Sequence, residues 1–215
     1  MYNRKRSGTV ILVDTHQALS EHTERDRRKA MLREPHIRPL TDHVERIRTA
    51  TQRGIHIPYF DPLDGGAEAE ALFLLEAPGP RAVSSGFISR DNPDVTARNM
   101  RLMSSAAGMD RTRTVLWNIV PWYLGTGTRI RAANVADVRE AQPWLSELLS
   151  LLPRLRVVAL VGRKALLARP VLQDLRPDLQ LTEMPHPSPL FVNRAAGNRQ
   201  QVQDGLRRVA RAMNA

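Results

Sequence analysis

Residues 71–80 read "ALFLLEAPGP", a short apolar run that ends in two prolines and a glycine. A run this short and this apolar, set between turn signals, is typical of a strand that is buried on both faces of a parallel sheet. Similar runs recur as "TVLWNIV" at 114–120, "RVVALVG" at 156–162 and, more weakly, "LQLTEM" at 179–184. The sequence therefore predicts a central, mainly parallel, four-stranded sheet.

Helical patterns separate these runs, and they occupy residues 92–108, 136–152 and 198–215. Asp91 or Asn92 is placed to cap the first of them, with Pro93 in its first turn, and Pro143 is expected to restart or kink the second. Strands that alternate with helices make an α/β fold. We expect a three-layer α/β/α sandwich around the central sheet.

Composition narrows the possible partners and sites. The chain of 215 residues has 32 Lys and Arg against 22 Asp and Glu, a net charge of +10, and all but three of the basic residues are arginine. This excess favours a polyanionic partner, although a general compositional bias towards arginine is the alternative. Cysteine is absent, which excludes disulfides, thiolate zinc sites and thiolate-held iron–sulfur clusters.

The chain shows no pattern of a membrane segment. No apolar run reaches the roughly 18 residues that span a bilayer, and the N-terminal "MYNRKRSGTVILVD" holds an apolar run of only four residues. We therefore expect a cytoplasmic protein, and separately we expect it to be a monomer. Residues 1–57 are predicted to be a charged, helical N-terminal extension that packs on the domain, and residues 58–215 to be the α/β domain itself.

Residues 184–189 read "MPHPSP", which places one imidazole and one hydroxyl among three prolines. Proline removes a backbone donor and fixes φ, so neither a helix nor a central strand continues through this segment. His186 and Ser188 each precede a proline and lose further backbone freedom. The segment is predicted to be a rigid loop that holds these two side chains in place.

Three loops that follow predicted strands carry polar side chains or prolines. They are "EAPGP" at 76–80, "NIVPWY" at 118–123 and "MPHPSP" at 184–189. In sheets of parallel strands, ligands bind outside the carboxyl ends of the strands. We therefore expect the three loops to border one crevice, with Asn118 and His186 facing a common cavity.

The order of "LFLLEAPGP", "SGFISRDN", "VLWNIVPW" and "MPHPSPLFVNR" resembles the uracil-DNA glycosylase superfamily over residues 58–215. The resemblance implies a monofunctional DNA glycosylase of base-excision repair. Such an enzyme turns a nucleotide out of DNA, hydrolyses the N-glycosidic bond of uracil or a related deaminated base, and leaves an abasic site. The resemblance implies DNA as the partner and neither a cofactor nor a metal ion.

The same resemblance assigns side chains to the base. His186 matches a histidine that donates a hydrogen bond to the base oxygen as negative charge develops there, and the prolines around it would supply the preorganisation that this needs. Asn118 matches an amide that reads the edge of uracil, and Phe87 matches an aromatic that stacks on the base. Without the resemblance, Asn118 reads as an amide satisfied by neighbouring backbone and Phe87 as a core residue.

Other residues are assigned by the resemblance to contacts with DNA. Ser188 and the neighbouring backbone, between Pro187 and Pro189, would contact a phosphate. Leu190 would enter the space that the flipped base leaves, in the manner of other apolar wedge residues. Arg194, a little further along the same segment, is expected to add a further contact to DNA.

The "EAPGP" segment departs from the best-known branch of the family. That branch carries an Asp that activates water where Ala77 stands, and a Tyr that excludes thymine where Gly79 stands. Other branches have a Glu at the position of Glu76, which makes Glu76 a candidate for positioning the water; Asp61, Asp91 or backbone alone are the alternatives. Without the Tyr, the pocket is expected to admit bases other than uracil.

Two departures keep a second function open. The Glu-bearing branches generally hold an iron–sulfur cluster through cysteines, which this chain lacks. The missing Asp also fits a catalytically weak or inactive DNA-binding protein that kept the glycosylase fold. A different kind of hydrolase is disfavoured, because the chain has no G-x-x-x-x-G-K loop, no G-x-S-x-G elbow and no His/carboxylate cluster at helical spacing.

Overall fold

The computed structural model describes residues 17–126 and 129–215, so the N-terminal run at 1–14 lies outside the described residues. The strands are β1 (Tyr59–Phe60), β2 (Ala71–Leu75), β3 (Phe87–Ile88), β4 (Thr114–Asn118), β5 (Gly125–Thr126), β6 (Arg129–Ile130), β7 (Val157–Val161) and β8 (Gln180–Met184). The α-helices are α1 (His22–Met31), α2 (Arg38–Thr51), α3 (Pro80–Ser85), α4 (Val95–Ala106), α5 (Val135–Ser150), α6 (Arg169–Leu175), α7 (Pro189–Val192) and α8 (Asn198–Asn214).

The central sheet has four strands in the order β4-β2-β7-β8, and every neighbouring pair is parallel. Leu75 at the end of β2 pairs with Asn118 at the end of β4, so these strands finish side by side. Every residue of β4 and β7 is buried, as expected where helices cover both faces of a sheet. The four predicted strands are confirmed.

Helices on the two faces of the sheet complete the predicted three-layer α/β/α sandwich. Helix α8 packs on β8 and β7 and also contacts α4, and α2 packs against α5. Gly205 lets α8 come close to the sheet, because a Cβ at this position would lie 2.5 Å from the Cβ of Met184. A glycine within a helix costs about 1 kcal/mol relative to alanine, and this close packing explains its presence.

Two details of the helices differ from the sequence predictions. Asp94 caps α4, and its carboxylate accepts a hydrogen bond from the N–H of Ala97 at 2.9 Å. The prediction that Asp91 or Asn92 is the cap is wrong, because the extended residue directly before the first helical turn is Asp94. Helix α5 continues through Pro143, so of the predicted restart or kink the restart does not occur.

The N-terminal helices belong to the packed structure. Leu40, Val44 and Ile47 of α2 are fully buried in the main hydrophobic core. Leu19 and Leu32, which lie on either side of α1, pack in a second cluster. The described part of the N-terminal segment therefore contributes apolar side chains to the interior, in addition to its many charges.

A buried ionic network, the arginine–aspartate cluster, ties α1 to the rest of the chain. It consists of Arg28, Asp61, Asp64, Arg90, Asp91 and Arg111. Arg28, which is 1% exposed, pairs with Asp61 and, at 2.8 Å, with Asp91. Arg111 reaches the same two carboxylates at 3.0 and 2.9 Å. Three arginines balance three aspartates, as the burial of charge requires.

Candidate functional site

A pocket of about 360 Å³ opens at the carboxyl ends of the sheet. Its wall includes Ala77 and Gly79 from the loop after β2, Asn118 at the end of β4, and His186 and Pro187 from the loop after β8. This volume falls within the range of pockets that bind small molecules. Residues of the three loops singled out in the sequence thus meet at one cavity, and Asn118 and His186 both face it.

Asn118 lies in the wall of this pocket, and its amide has a buried donor that lacks a partner in the described part of the chain. Its side chain is 4% exposed, and its buried Nδ2 has no hydrogen-bond partner among the described residues. A buried donor without a partner costs on the order of 1–3 kcal/mol, so native proteins seldom keep one without a reason. An acceptor group on a ligand in the pocket would satisfy Nδ2.

His186 stands in the wall of the same pocket between two prolines. Burial lowers the pKa of its imidazole, and the negative charges of Glu76 and Asp94 partly oppose that shift. A pKa below the usual value leaves the ring uncharged at neutral pH, with one N–H available as a donor. His186 can therefore donate a hydrogen bond in its neutral form.

Contacts from two other elements hold the loop that carries His186. Asn99 of α4 donates from Nδ2 to the carbonyl oxygen of Pro187 at 2.9 Å. Gly162, after β7, has a φ of +81°, and a Cβ at this position would lie 3.1 Å from the Cβ of His186. Glycine satisfies both the left-handed φ and the close approach. The loop is thus held from α4 and β7 as well as by its own prolines.

Glu76 lines a neighbouring cavity, and His186 borders both that cavity and the pocket. Oε1 of Glu76 accepts a hydrogen bond from the N–H of Ala133 at 2.6 Å. Lys164 donates from Nζ to the carbonyl oxygen of Ala133 at 2.8 Å. These bonds anchor the segment that leads into α5. Glu76 therefore has a structural task, and its predicted part in catalysis stays a prediction.

The carboxylate on the pocket wall is not one that the sequence singled out. Asp61 and Asp91, the alternatives for positioning water, belong to the arginine–aspartate cluster and do not line the pocket. Asp94 lines it instead. The signal that could have identified Asp94 is its position directly before a helical pattern, where capping residues stand.

Phe87 does not line the pocket. It is fully buried with Leu19 and Leu32 in the second hydrophobic cluster, and its ring centroid lies 6.4 Å from that of Tyr59. Successive side chains of a strand point in opposite directions, and the next residue of β3, Ile88, is the one in the pocket wall. The position of Phe87 does not support the stacking role that the sequence predicted.

Helix α7 displays an apolar side chain beside the site. Ser188 caps this helix, accepting a hydrogen bond from the N–H of Phe191 at 3.4 Å, and Pro189 occupies its first turn. Leu190 follows and is 86% exposed. Single exposed leucines are common on protein surfaces, so the wedge role of Leu190 stays a prediction.

Basic side chains border His186 on another side. Arg163, Arg194 and Arg208 line a cavity of about 650 Å³ whose wall also includes His186. One of the three is engaged within the protein, because Arg208 donates to the carbonyl oxygen of Glu183 at 2.9 Å. This cavity adjoins the pocket that contains Asn118, and its arginines suit an anionic ligand such as phosphate.

The described residues contain no group of three or more His, Asp or Glu side chains placed to hold a metal ion. The chain has no cysteine, so its residues do not fit a thiolate-held iron–sulfur cluster. Across residues 17–126 and 129–215, no helix is both long and apolar enough to cross a bilayer.

Comparison with known proteins gives a family and a structural neighbour. A family model described as the uracil DNA glycosylase superfamily matches residues 62–210. Among solved structures, the chain is similar to a solution NMR structure of a "putative Uracil DNA glycosylase" from Methanosarcina acetivorans, with 19% sequence identity and a TM-score of 0.47. That match covers 69% of this chain and 94% of the other. No curated protein matches the chain.

Proposed function

The chain belongs to the uracil DNA glycosylase superfamily, and from this we propose that it is a monofunctional DNA glycosylase that removes uracil or a related deaminated base from DNA and leaves an abasic site. The observation that carries the proposal is the shared pocket of Asn118 and His186. One offers an unpaired amide donor, and the other offers the N–H of a neutral imidazole. Recognition of a flipped base requires polar groups of this kind in a pocket.

The two side chains would divide the work between recognition and catalysis. Cleavage of the glycosidic bond leaves negative charge on the departing base, so a donor fixed at the base oxygen lowers the barrier. His186 is held by prolines and by contacts from α4 and β7, and it would be that donor. Asn118 would pair with the edge of the base through its amide, and its Nδ2 would gain the partner that it lacks.

The part of the pocket beside Ala77 and Gly79 would leave space for bases larger than uracil. A Cβ at Gly79 would meet nothing within 4 Å, and Ala77 beside it has a small side chain. Apolar contact with the ring would come from Leu75, Ile88 and Leu116 in the same wall. We therefore expect hypoxanthine and xanthine to be substrates in addition to uracil.

The surroundings of the pocket support DNA as the partner. The net charge is +10, and Arg163 and Arg194 border the cavity next to His186. Arginines in this position would contact phosphates on either side of a flipped nucleotide, with Ser188 and its neighbours between them. Such contacts place the strand without reading its sequence.

The pocket supports hydrolysis without strand cleavage. Bifunctional glycosylases need an amine that attacks the sugar carbon and forms a Schiff base. The wall of the pocket, as the structure describes it, includes no lysine. The nearest candidate, Lys164, lies in the neighbouring cavity and donates to the carbonyl oxygen of Ala133.

The proposal is tested with purified protein and end-labelled oligonucleotides that carry uracil, hypoxanthine, xanthine or mismatched thymine, in single strands and in duplexes. Alkali after the incubation should break the strand at the position of uracil, and omission of alkali should leave it intact. Binding of DNA that falls with salt, without release of any base, would instead establish the inactive DNA-binding protein.

We expect Leu190→Ala to slow release of uracil from duplex DNA by about tenfold, equivalent to ~1.4 kcal/mol, and to leave release from single strands nearly unchanged. The wedge fills the gap in a base stack, which single-stranded DNA does not have. Single-turnover assays on both substrates measure the two rates. Ile55→Ala is the matched control, because Ile55 is 74% exposed and does not line the pocket. Equal losses on both substrates would refute a wedge role.

A further inference from the structure

Asp94 is the acidic residue in the wall of the pocket, as far as the described residues define that wall. It is the N-cap of α4, with a φ of −146° and a ψ of 160°, and one carboxylate oxygen accepts the N–H of Ala97 at 2.9 Å. Thr96 and Ala97, from the first turn of the same helix, also line the pocket. A twelve-residue helix therefore fixes the position of this carboxylate.

Asp94 also acts electrostatically on His186. Its negative charge raises the pKa of that imidazole against the effect of burial, as the charge of Glu76 does. Among the described residues, the carboxylates that act on His186 are thus Asp94 and Glu76, and Asp94 is the one in the pocket. Asn118, with its unpaired Nδ2, faces the same cavity.

The proposed reaction needs an acceptor for a water molecule as well as a donor for the base. As the bond from the sugar to the base breaks, the sugar becomes cation-like, and water must be held where it can add to the sugar carbon. Ala77 cannot supply that acceptor, because its side chain is a methyl group. A carboxylate that serves as the acceptor for water in place of residue 77 must reach the interior of the pocket.

The other candidate carboxylates lie outside the wall of the pocket. Asp61 and Asp91 are buried between Arg28 and Arg111 in the arginine–aspartate cluster. Glu76 accepts the N–H of Ala133 and lines the neighbouring cavity. Asp94 is the remaining one, and it lies in the wall that also contains Ala77.

We propose that Asp94 is the residue that positions and activates the attacking water. This inference rests on the proposed glycosylase function. The water oxygen forms a bond to C1′ of the deoxyribose as the bond from C1′ to the base nitrogen breaks. The electron pair of the broken bond leaves with the base, whose oxygen accepts the N–H of His186. The carboxylate of Asp94 takes one proton from the water and passes it to solvent or to the departing base.

The test uses Asp94→Ser and Asp94→Asn, both of which keep a side chain that can cap a helix. We expect each to lower the single-turnover rate of uracil release by about 100-fold, with the affinity for uracil-containing DNA and the thermal unfolding midpoint unchanged. Formate, a small carboxylate, should restore part of the rate of Asp94→Ser. A purely structural role of Asp94 would not respond to formate.

One control variant and one variant at the competing carboxylate accompany these. Asp110→Ser removes a carboxylate that also caps a turn, where it accepts the N–H of Thr112 at 2.8 Å, but Asp110 does not line the pocket. Glu76→Gln keeps an oxygen that can accept the N–H of Ala133. Asp110→Ser should retain the rate within about threefold, because Asp110 lies outside the pocket wall, whereas Glu76→Gln tests the competing prediction that Glu76 positions the water.

Each outcome decides the proposal. Wild-type rates in Asp94→Ser and Asp94→Asn would overturn the role of Asp94 while leaving the glycosylase function intact. A loss in Glu76→Gln as large as in Asp94→Ser, without rescue of the latter by formate, would also overturn it. If the wild-type protein released no base from any of the oligonucleotides, the proposed function itself would fall, and the role of Asp94 with it.

Discussion

His186→Ala is expected to slow the release of uracil by 100-fold or more, which is the usual cost of removing one donor aimed at developing negative charge. The imidazole faces the pocket and is held by prolines and by Gly162 and Asn99. Its fixed position means that little reorganisation is needed when the base departs. Single-turnover assays with uracil in single-stranded DNA isolate this step from duplex opening.

The control for this variant is His56→Ala. His56 is exposed, stacks against Tyr123 and does not line the pocket, so its removal should leave release unchanged.

Asn118→Ala is the companion variant, expected to slow release at least tenfold. Its stability should not decrease through the amide nitrogen, because that atom has no partner to lose. Equal rates in wild type, His186→Ala and Asn118→Ala would refute both assigned roles.

Arg28→Ala is expected to lower the free energy of unfolding by about 3 kcal/mol. Arg28 is buried and pairs with Asp61, Asp91 and Glu24. Its removal leaves three buried aspartates with two arginines, and an uncompensated buried charge costs far more than a surface one. Urea unfolding followed by circular dichroism measures the change.

Arg27→Ala is the matched control, because Arg27 lies on the same helix, is half-exposed and pairs with Glu24 at 2.7 Å. An exposed pair of this kind contributes at most about 1 kcal/mol. Adding Asp61→Asn to Arg28→Ala should recover part of the loss, since it removes the unbalanced charge. The same urea midpoint for the Arg27 and Arg28 variants would show that the buried network does not stabilise the fold as expected.

The strands of the central sheet, and the meeting of Asn118 and His186 at one pocket, were predictable from local patterns. Apolar runs such as Leu72 to Leu75 give one strand each, and parallel strands place the residues that follow them at one edge of the sheet. Asn118 and His186 are 68 positions apart in the chain. This rule nevertheless predicts that both lie at the same edge of the sheet. The rigidity of the loop that carries His186 was also predictable, because prolines restrict the backbone locally.

What the sequence did not reveal depends on contacts between distant segments. Nothing near Arg28 indicates that it inserts between Asp61 and Asp91, because ion pairs over such separations leave no periodic pattern. Phe87 was assigned to the base by the family resemblance alone, and a strand of two residues is too short for alternation to show which way its side chain faces. Asp94 was not predicted as the cap because two other capping residues, Asp91 and Asn92, stand just before it in the chain.

Residue 62, where the family match begins, is not where the folding unit begins. Helix α2 supplies Leu40, Val44 and Ile47 to the interior, and Arg28 of α1 neutralises carboxylates beside the pocket wall. A chain trimmed to the family boundary would lose Asp61 together with Arg28, and it would expose to solvent the apolar surface of the core that α2 covers. Truncated versions of this protein therefore need a start upstream of α1 to remain free of aggregation.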